Sequence, residues 1–497
     1  MTQEGADKTE KKGPKIRQAV VIVHGMGEQR PLDTLFRFAN AVVKEPPSSG
    51  EADTSTAKFR AKYFSRPTNF EDAFESRYLV SQKSEKDDPV QQDQADFFEY
   101  HWSFHMQGNK FTDIIATFFR MLIRSPTRVP SGLLVVWAAI WLLIFYAAYK
   151  LYSTPDIWSK ITAVYTNDGT GGAIAALIGT IFAIGAGGLA FKALRWLFKR
   201  FIPAKVTSHF VDVIRYLDTS PRSYAVRKNI RKGMVDLIEN LHQEKEGGKN
   251  KYDRVVIVAH SLGAYIAYDA ITYYWTRTNQ QFSGKIGVKT LRDVEQKGAA
   301  LLDASEDHSA EKVDDYRKAQ KALWLELQKQ GNPWRISDFV SVGTPMYMAD
   351  SIMTKNKARF QERVDLRHIA KCPPESDLSR DGFPKDPVSY GYPYGANTAL
   401  YHAAPFAVTR WTNMWFPPAL NFFGDWFGGP LAPLFGHGIR DIRLKGDGWR
   451  RFIPAVAHAL YFSFPDKKPE AGDDPDKTDQ LSVTHQLRLA LDLSFFR

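Results

Sequence analysis

Residues 254–263 read RVVIVAHSLG. Past its leading arginine, the segment 254–259 has no polar position, the pattern of a short strand covered on both faces of a sheet. Residues 264–274 then follow with helical spacing. Ser261 sits at the junction, with Ala259 two positions before it and Gly263 two positions after. A serine at the apex of a sharp strand-to-helix turn needs small residues at those two places, because the backbone doubles back tightly there. Such a turn lifts the hydroxyl above the sheet edge, and the helix that follows offers free N–H groups and a favourable dipole to an anion. The alternative is a serine capping a helix after an ordinary turn.

The same strand type recurs on either side. Residues 17–23 (RQAVVIV) form a second apolar run, ending in His24-Gly25-Met26-Gly27, and residues 338–342 (DFVSV) form a third, running into Gly343-Thr344-Pro345. Further strands are expected at 58–64, 97–102, 408–415 and 439–445, and helices at 31–44 and 223–244. Apolar strands alternating with helical stretches predict an α/β fold, a mainly parallel sheet with helices on both faces. The stretch 284–331 is highly charged and helical in composition, and is expected to be a surface insertion. Residues 465–479 are polar and rich in Pro and Asp, a linker to an amphipathic segment with Leu487, Leu491 and Phe495 at four-residue spacing.

The segment Ala259-His260-Ser261-Leu262-Gly263, together with His24-Gly25 after the early strand, resembles the α/β-hydrolase superfamily on its lipase and esterase side. The usual G-x-S-x-G is departed from by Ala259, a sterically mild change. Val342-Gly343-Thr344-Pro345 is similar to the strand end that follows the nucleophile helix in many lipases. The resemblance implies Ser261 as nucleophile and an oxyanion hole built from the amides of Met26 and Leu262, with His24, Gly25 and His260 around the bound substrate. It covers roughly residues 17–30, 254–270, 338–346 and 406–461.

Such enzymes carry their remaining triad members in the order acid, then histidine. His458, in Ala457-His458-Ala459-Leu460-Tyr461, follows the last expected strand and resembles the terminal His-x-x-aromatic segment of lipase-like members. It is the preferred base, with His437 as the competitor. Asp425 lies between the strands ending near 415 and starting near 439, the slot for the carboxylate that orients the histidine. Asp441 and Asp447 compete with it.

The 497 residues are 44% apolar and contain one cysteine, Cys372, which rules out an intrachain disulfide framework and a cysteine-built zinc site. No H-E-x-x-H, C-x-x-C or EF-hand pattern occurs, so no metal and no cofactor are expected. The net charge is +11, yet its placement argues for a membrane partner over nucleic acid. Residues 131–149 and 169–191 carry no charge, and about 20 apolar residues cross a bilayer core. Lys110, Arg120, Arg124 and Arg128 precede the first run, and Lys192, Arg195, Lys199, Arg200 and Lys205 follow the second, while only Lys150 and Lys160 lie between. That asymmetry places both flanks in the cytoplasm and lets the basic residues meet anionic headgroups. Gly171, Ala175, Gly179, Ala183 and Gly187 line one face of the second run, as close helix packing in lipid requires. A buried helical pair is the alternative.

The expected organisation is a polar lead over 1–15 with no signal-peptide core, a first part of the α/β domain over 16–105, and a membrane region over 106–205. Its transmembrane helices are placed at about 131–150 and 170–191. The second part of the α/β domain covers 206–464, and a linker with its amphipathic tail covers 465–497. Because the strand ending at His24 and the strand ending at Ala259 lie on opposite sides of the hairpin, one shared sheet requires an even number of crossings. The function expected is hydrolysis of a carboxylic ester, a lipid or other acyl ester, by a membrane-anchored serine hydrolase whose catalytic domain and both termini are cytoplasmic. A catalytically silent scaffold and an acyltransferase using the same triad are the alternatives.

Overall fold

In the computed structural model the apolar runs flanking the charge-free segments lie side by side. The described residues are 17–25, 31–43, 63–68, 77–81, 94–106, 216 and most of 221–493, with scattered helical positions between 134 and 153. Within 221–493, residues 280–287, 303–308, 355, 376–388, 395–396, 418–423, 445–448, 454–455 and 463–482 are outside that set.

Eight strands form the main sheet: β1 (Arg17–Val23), β2 (Tyr63–Pro67), β3 (Arg77–Ser81), β4 (Gln94–Tyr100), β5 (Arg254–His260), β6 (Ile336–Val342), β7 (Arg410–Trp415) and β8 (Arg440–Arg443). Their order is β8-β7-β6-β5-β1-β4-β3-β2. Every pairing from β4 through β1 to β8 is parallel, and β2 and β3 close the far edge antiparallel. The chain is thus an α/β protein with a mainly parallel sheet.

The continuous apolar runs are explained by burial on both faces. In β1, Ala19, Val21 and Val23 join one core while Val20 and Ile22 join the other. In β5, Val255, Ile257 and Ala259 alternate in the same way with Val256 and Val258. Helices α2 (Pro221–Gln243), α3 (Leu262–Asn279), α4 (Val288–Ala299) and α5 (Ala310–Lys329) contribute to the first core. The helix α1 (Asp33–Val43) and the terminal helix α7 (Val483–Leu491) pack on the second face, and a short α6 (Lys357–Asp365) lies between β6 and β7 in the chain.

The stretch 284–331 is not a surface insertion. Its α5 buries Val313, Tyr316, Leu323, Trp324 and Leu327, which recur at helical spacing beneath the charges. Arg317 of α5 donates to the Trp411 carbonyl (3.0 Å) and Tyr316 to the Phe406 carbonyl (2.9 Å), so this helix is part of the layer covering β7. The terminal helix is likewise integral. Leu487 and Leu491 are fully buried, whereas Phe495 lies outside the described residues.

The opposite end of the sheet is held by charge. Arg254 at the start of β5 is fully buried and paired with Asp338 (2.5 Å), and Arg410 at the start of β7 grips the same carboxylate (2.8 Å) and Asp492 (2.9 Å). Arg254 also donates to the Leu491 and Asp492 carbonyls (3.0 and 2.7 Å), which places a cation at the C-terminus of α7. Burial pushes the Asp338 carboxyl up, but the two arginines outweigh it and hold it far below the usual range.

Among the described residues no helix is long and apolar enough to cross a membrane. The expected span at 170–191 lies outside those residues, and of the span at 131–150 only isolated helical positions are described, among them Trp137, Trp141, Leu142, Phe145 and Tyr149.

Candidate active site

The C-terminal ends of the parallel strands converge where β1 lies between β4 and β5, a position at which open α/β sheets hold ligands. Val23 is in register with Ala259, so His24-Gly25 leaves the sheet beside His260-Ser261. The approach is close enough to need glycine twice. A Cβ on Gly25 would stand 2.5 Å from His260 Nδ1 and 3.1 Å from the Ser261 Cβ. A Cβ on Gly263 would stand 2.5 Å from the His24 carbonyl oxygen.

Ser261 is the one residue between β5 and α3, and its φ is +55°. A non-glycine residue in that region costs about 1–3 kcal/mol and persists only where the surroundings impose it. Here the Ser261 N–H donates to the Val342 carbonyl (2.9 Å) and the Ser261 carbonyl accepts from Ala264 (3.1 Å), locking the turn from both sides. Leu262 opens α3, so its amide has no intrahelical acceptor.

Three side chains from separate segments meet above this turn. His458, on the single turn Ala457–Ala459, places Nε2 2.8 Å from Ser261 Oγ, and its Nδ1 lies 3.0 Å from Asp425 Oδ1. All three residues are buried. Burial pushes the Asp425 carboxyl up, but attraction to His458 and hydrogen bonds from His458, Tyr461 and Phe427 prevail, and the group is held below its ordinary range. An ionised carboxylate only accepts, so Nδ1 carries the imidazole proton and Nε2 is left to accept from the serine hydroxyl. This arrangement can move a proton from Ser261 to His458 while Asp425 stabilises the resulting imidazolium.

Asp425 lies ten residues beyond the end of β7, yet the excursion turns back to the sheet. Asn413 of β7 donates to the Gly429 carbonyl (3.0 Å), and Phe427 N–H donates to Asp425 Oδ1 (2.8 Å). Gly428 permits this closure, since a Cβ there would stand 2.7 Å from Asp425 Oδ2. Asp441 is committed elsewhere: it accepts from Asn413 and from the amides of Leu431 and Ala432, fastening the loop to β8. Asp447 and Met26 lie outside the described residues, and His437 stands on the turn leading into β8.

The two other histidines of the motif segments are held as neutral groups. His24 is fully buried and stacked on Trp102 (ring centroids 5.0 Å apart). It accepts from the Trp102 N–H at Nε2 (3.2 Å) and donates from Nδ1 to the Gly25 carbonyl (2.8 Å). His260 donates from Nε2 to the His458 carbonyl (2.9 Å), with the two rings 4.8 Å apart. Burial lowers both, each to about 3. Their contacts are thus with backbone that shapes the site: His24 orients the Gly25 peptide, and His260 holds the segment carrying His458.

Sequence reasoning did not find the tyrosine hydroxyl that completes this network. Tyr461 donates to Asp425 Oδ2 (2.6 Å) and accepts from the Phe416 N–H (3.1 Å). Its spacing of three from His458 was the available signal. Comparison with protein-family models, with curated proteins and with solved structures gave no match for this chain.

Proposed function

We propose that this chain is a serine hydrolase of the α/β-hydrolase type that cleaves carboxylic esters, with acyl lipids as the substrate class, from a membrane-anchored position. The observation that carries the reading is the continuous hydrogen-bonded path from Ser261 Oγ through His458 to Asp425, built on a strained turn at the C-terminal edge of a parallel sheet. Nucleophile, base and orienting acid within hydrogen-bond reach of one another are what acyl transfer to serine needs.

Ser261 Oγ attacks the acyl carbonyl and passes its proton to His458 Nε2. The oxyanion is received by the Leu262 amide at the N-terminus of α3, with the Met26 amide assigned as its partner from the sequence resemblance. The tetrahedral intermediate collapses, His458 protonates the departing alcohol, and the acyl group stays on Ser261. Water, deprotonated by His458, then attacks the acyl-enzyme and releases the carboxylic acid.

Membrane anchoring is supported by the two charge-free runs and their basic flanks. It is consistent with the sheet, since β1 and β5 are parallel neighbours and the chain between them must come back to the side it left. The described positions of the first run also expose Leu142, Phe145, Tyr146 and Tyr149.

The test is turnover of p-nitrophenyl esters of graded acyl length and of phospholipid vesicles by the full chain in detergent or nanodiscs. The wild type releases acid, and Ser261→Ala and His458→Ala do not. Equal turnover by Ser261→Ala would falsify the reading.

A further inference from the structure

We propose that Tyr461 is a positioning residue of the reaction, a fourth member of the Ser261–His458–Asp425 chain that fixes the acid through its hydroxyl. The inference rests on the hydrolase reading above and adds a residue to it.

The two oxygens of Asp425 are gripped by two groups three residues apart on one short segment. His458 Nδ1 takes Oδ1 at 3.0 Å and Tyr461 O–H takes Oδ2 at 2.6 Å. Oδ1 also accepts from Phe427 N–H (2.8 Å), but grips on one oxygen leave the other free to swing, whereas the tyrosine on Oδ2 fixes the carboxylate plane. The direction of the tyrosine proton is settled by the other contact. Phe416 N–H donates to the tyrosine oxygen (3.1 Å), so the hydroxyl hydrogen is the one directed at Asp425. Burial and the adjacent carboxylate also push the Tyr461 hydroxyl well above its ordinary range, which keeps it a donor.

The surroundings are shaped for this ring and this oxygen. Gly343, at φ +55°, lies so close that a Cβ would meet Tyr461 Cε2 at 2.4 Å. A Cβ on Gly428 would stand 2.9 Å from the tyrosine oxygen and 2.7 Å from Asp425 Oδ2. Phe416 stacks on the ring (4.6 Å). Through Phe416 the hydroxyl also ties the exit of β7 to an acid ten residues further along. The hydrogen bonds of Tyr461 join Asp425 and Phe416, so its effect passes through Asp425.

The test is a double-mutant comparison in the full chain, read by the rate of fluorophosphonate labelling at Ser261 and by ester turnover. Tyr461→Phe keeps the ring and removes the donor. Gly428→Ala presses a methyl against both the donor and the acceptor oxygen without altering either group. Each is expected to lower kcat about 10-fold with KM unchanged, the size of one charged hydrogen bond. In an Asp425→Asn background the same changes are expected to cost less than about 2-fold, because residues acting as a unit are not additive. A purely structural role predicts losses that multiply with Asp425→Asn, and that result overturns the inference, as does labelling of Tyr461→Phe at the wild-type rate. Absence of labelling in the wild type itself would sink the hydrolase reading and this inference with it, so the two failures are told apart.

Discussion

Replacing Gly25 with alanine tests whether the ends of β1 and β5 form one site. The new Cβ would stand 2.5 Å from His260 Nδ1 and 3.1 Å from both His260 Cε1 and Ser261 Cβ. Ordinary carbon–nitrogen contact lies near 3.5 Å, so the imidazole must retreat by about 1 Å. His260 Nε2 is the donor to the His458 carbonyl at 2.9 Å, and a retreat of that size breaks the bond or drags the histidine with it. A displacement of about 1 Å in a reacting group costs on the order of 100-fold in rate. The stability cost of one inserted methyl is about 1–3 kcal/mol, small enough to leave the chain folded. The assay is the time course of fluorophosphonate labelling at a temperature where melting curves show both proteins native. A roughly 100-fold slower reaction is expected from Gly25→Ala. Labelling at the wild-type rate would refute the packing of β1 against the serine turn.

Further outcomes follow from named contacts. Asp425→Asn removes the acceptor that holds the His458 tautomer, and kcat is expected to fall by on the order of 10⁴-fold in steady-state ester turnover. His24 and His242 are both buried and lowered to about 3, below the 6.5 of an unfolded chain. The unfolded state therefore takes up protons first as pH falls, and the stability these groups contribute is present above about 6.5 and is lost towards 3. Between pH 7.5 and 5 each contributes a loss of about 2 kcal/mol, as does His260 with the same shift, so over that range the stability from urea titration should fall about 2 kcal/mol less in His242→Gln than in the wild type. Asp338→Ala leaves Arg254 and Arg410 without their shared carboxylate, a loss of about 3–5 kcal/mol in denaturant titration, while Ser261 keeps its labelling rate under native conditions.

The parts of the fold legible in the sequence were those buried on both faces. β1 and β5 are unbroken apolar runs, and no solvent-facing alternation competes with that reading. The antiparallel edge was harder. The strand expected at 58–64 lies at 63–67, and RYLVS at 77–81 is a strand that the expectations do not include, its apolar run being only Tyr78-Leu79-Val80. The average charge of helix α5 hides its buried face. Tyr316, Leu323, Trp324 and Leu327 share one face under the lysines and aspartates, and periodicity, not composition, carried that information.

In the site, Ser261, His458 and Asp425 were readable because strand order and chain order confine each to a loop at one edge of the sheet. The structure brings those three together and holds Asp441 in a different network. The contact from His260 to the His458 carbonyl spans 198 positions and joins a side chain to backbone, a kind of pairing that leaves no trace in residue types. The same is true of the Leu491 and Asp492 carbonyls that receive Arg254.

The most direct measurement is peptide mass spectrometry of the full chain after a brief, acid-quenched exposure to a p-nitrophenyl acyl ester. One acyl group is expected on the peptide containing Ser261, accumulating in step with p-nitrophenol release and missing from Ser261→Ala. An unmodified Ser261 peptide during active turnover, or an acyl group found on another residue, would contradict it.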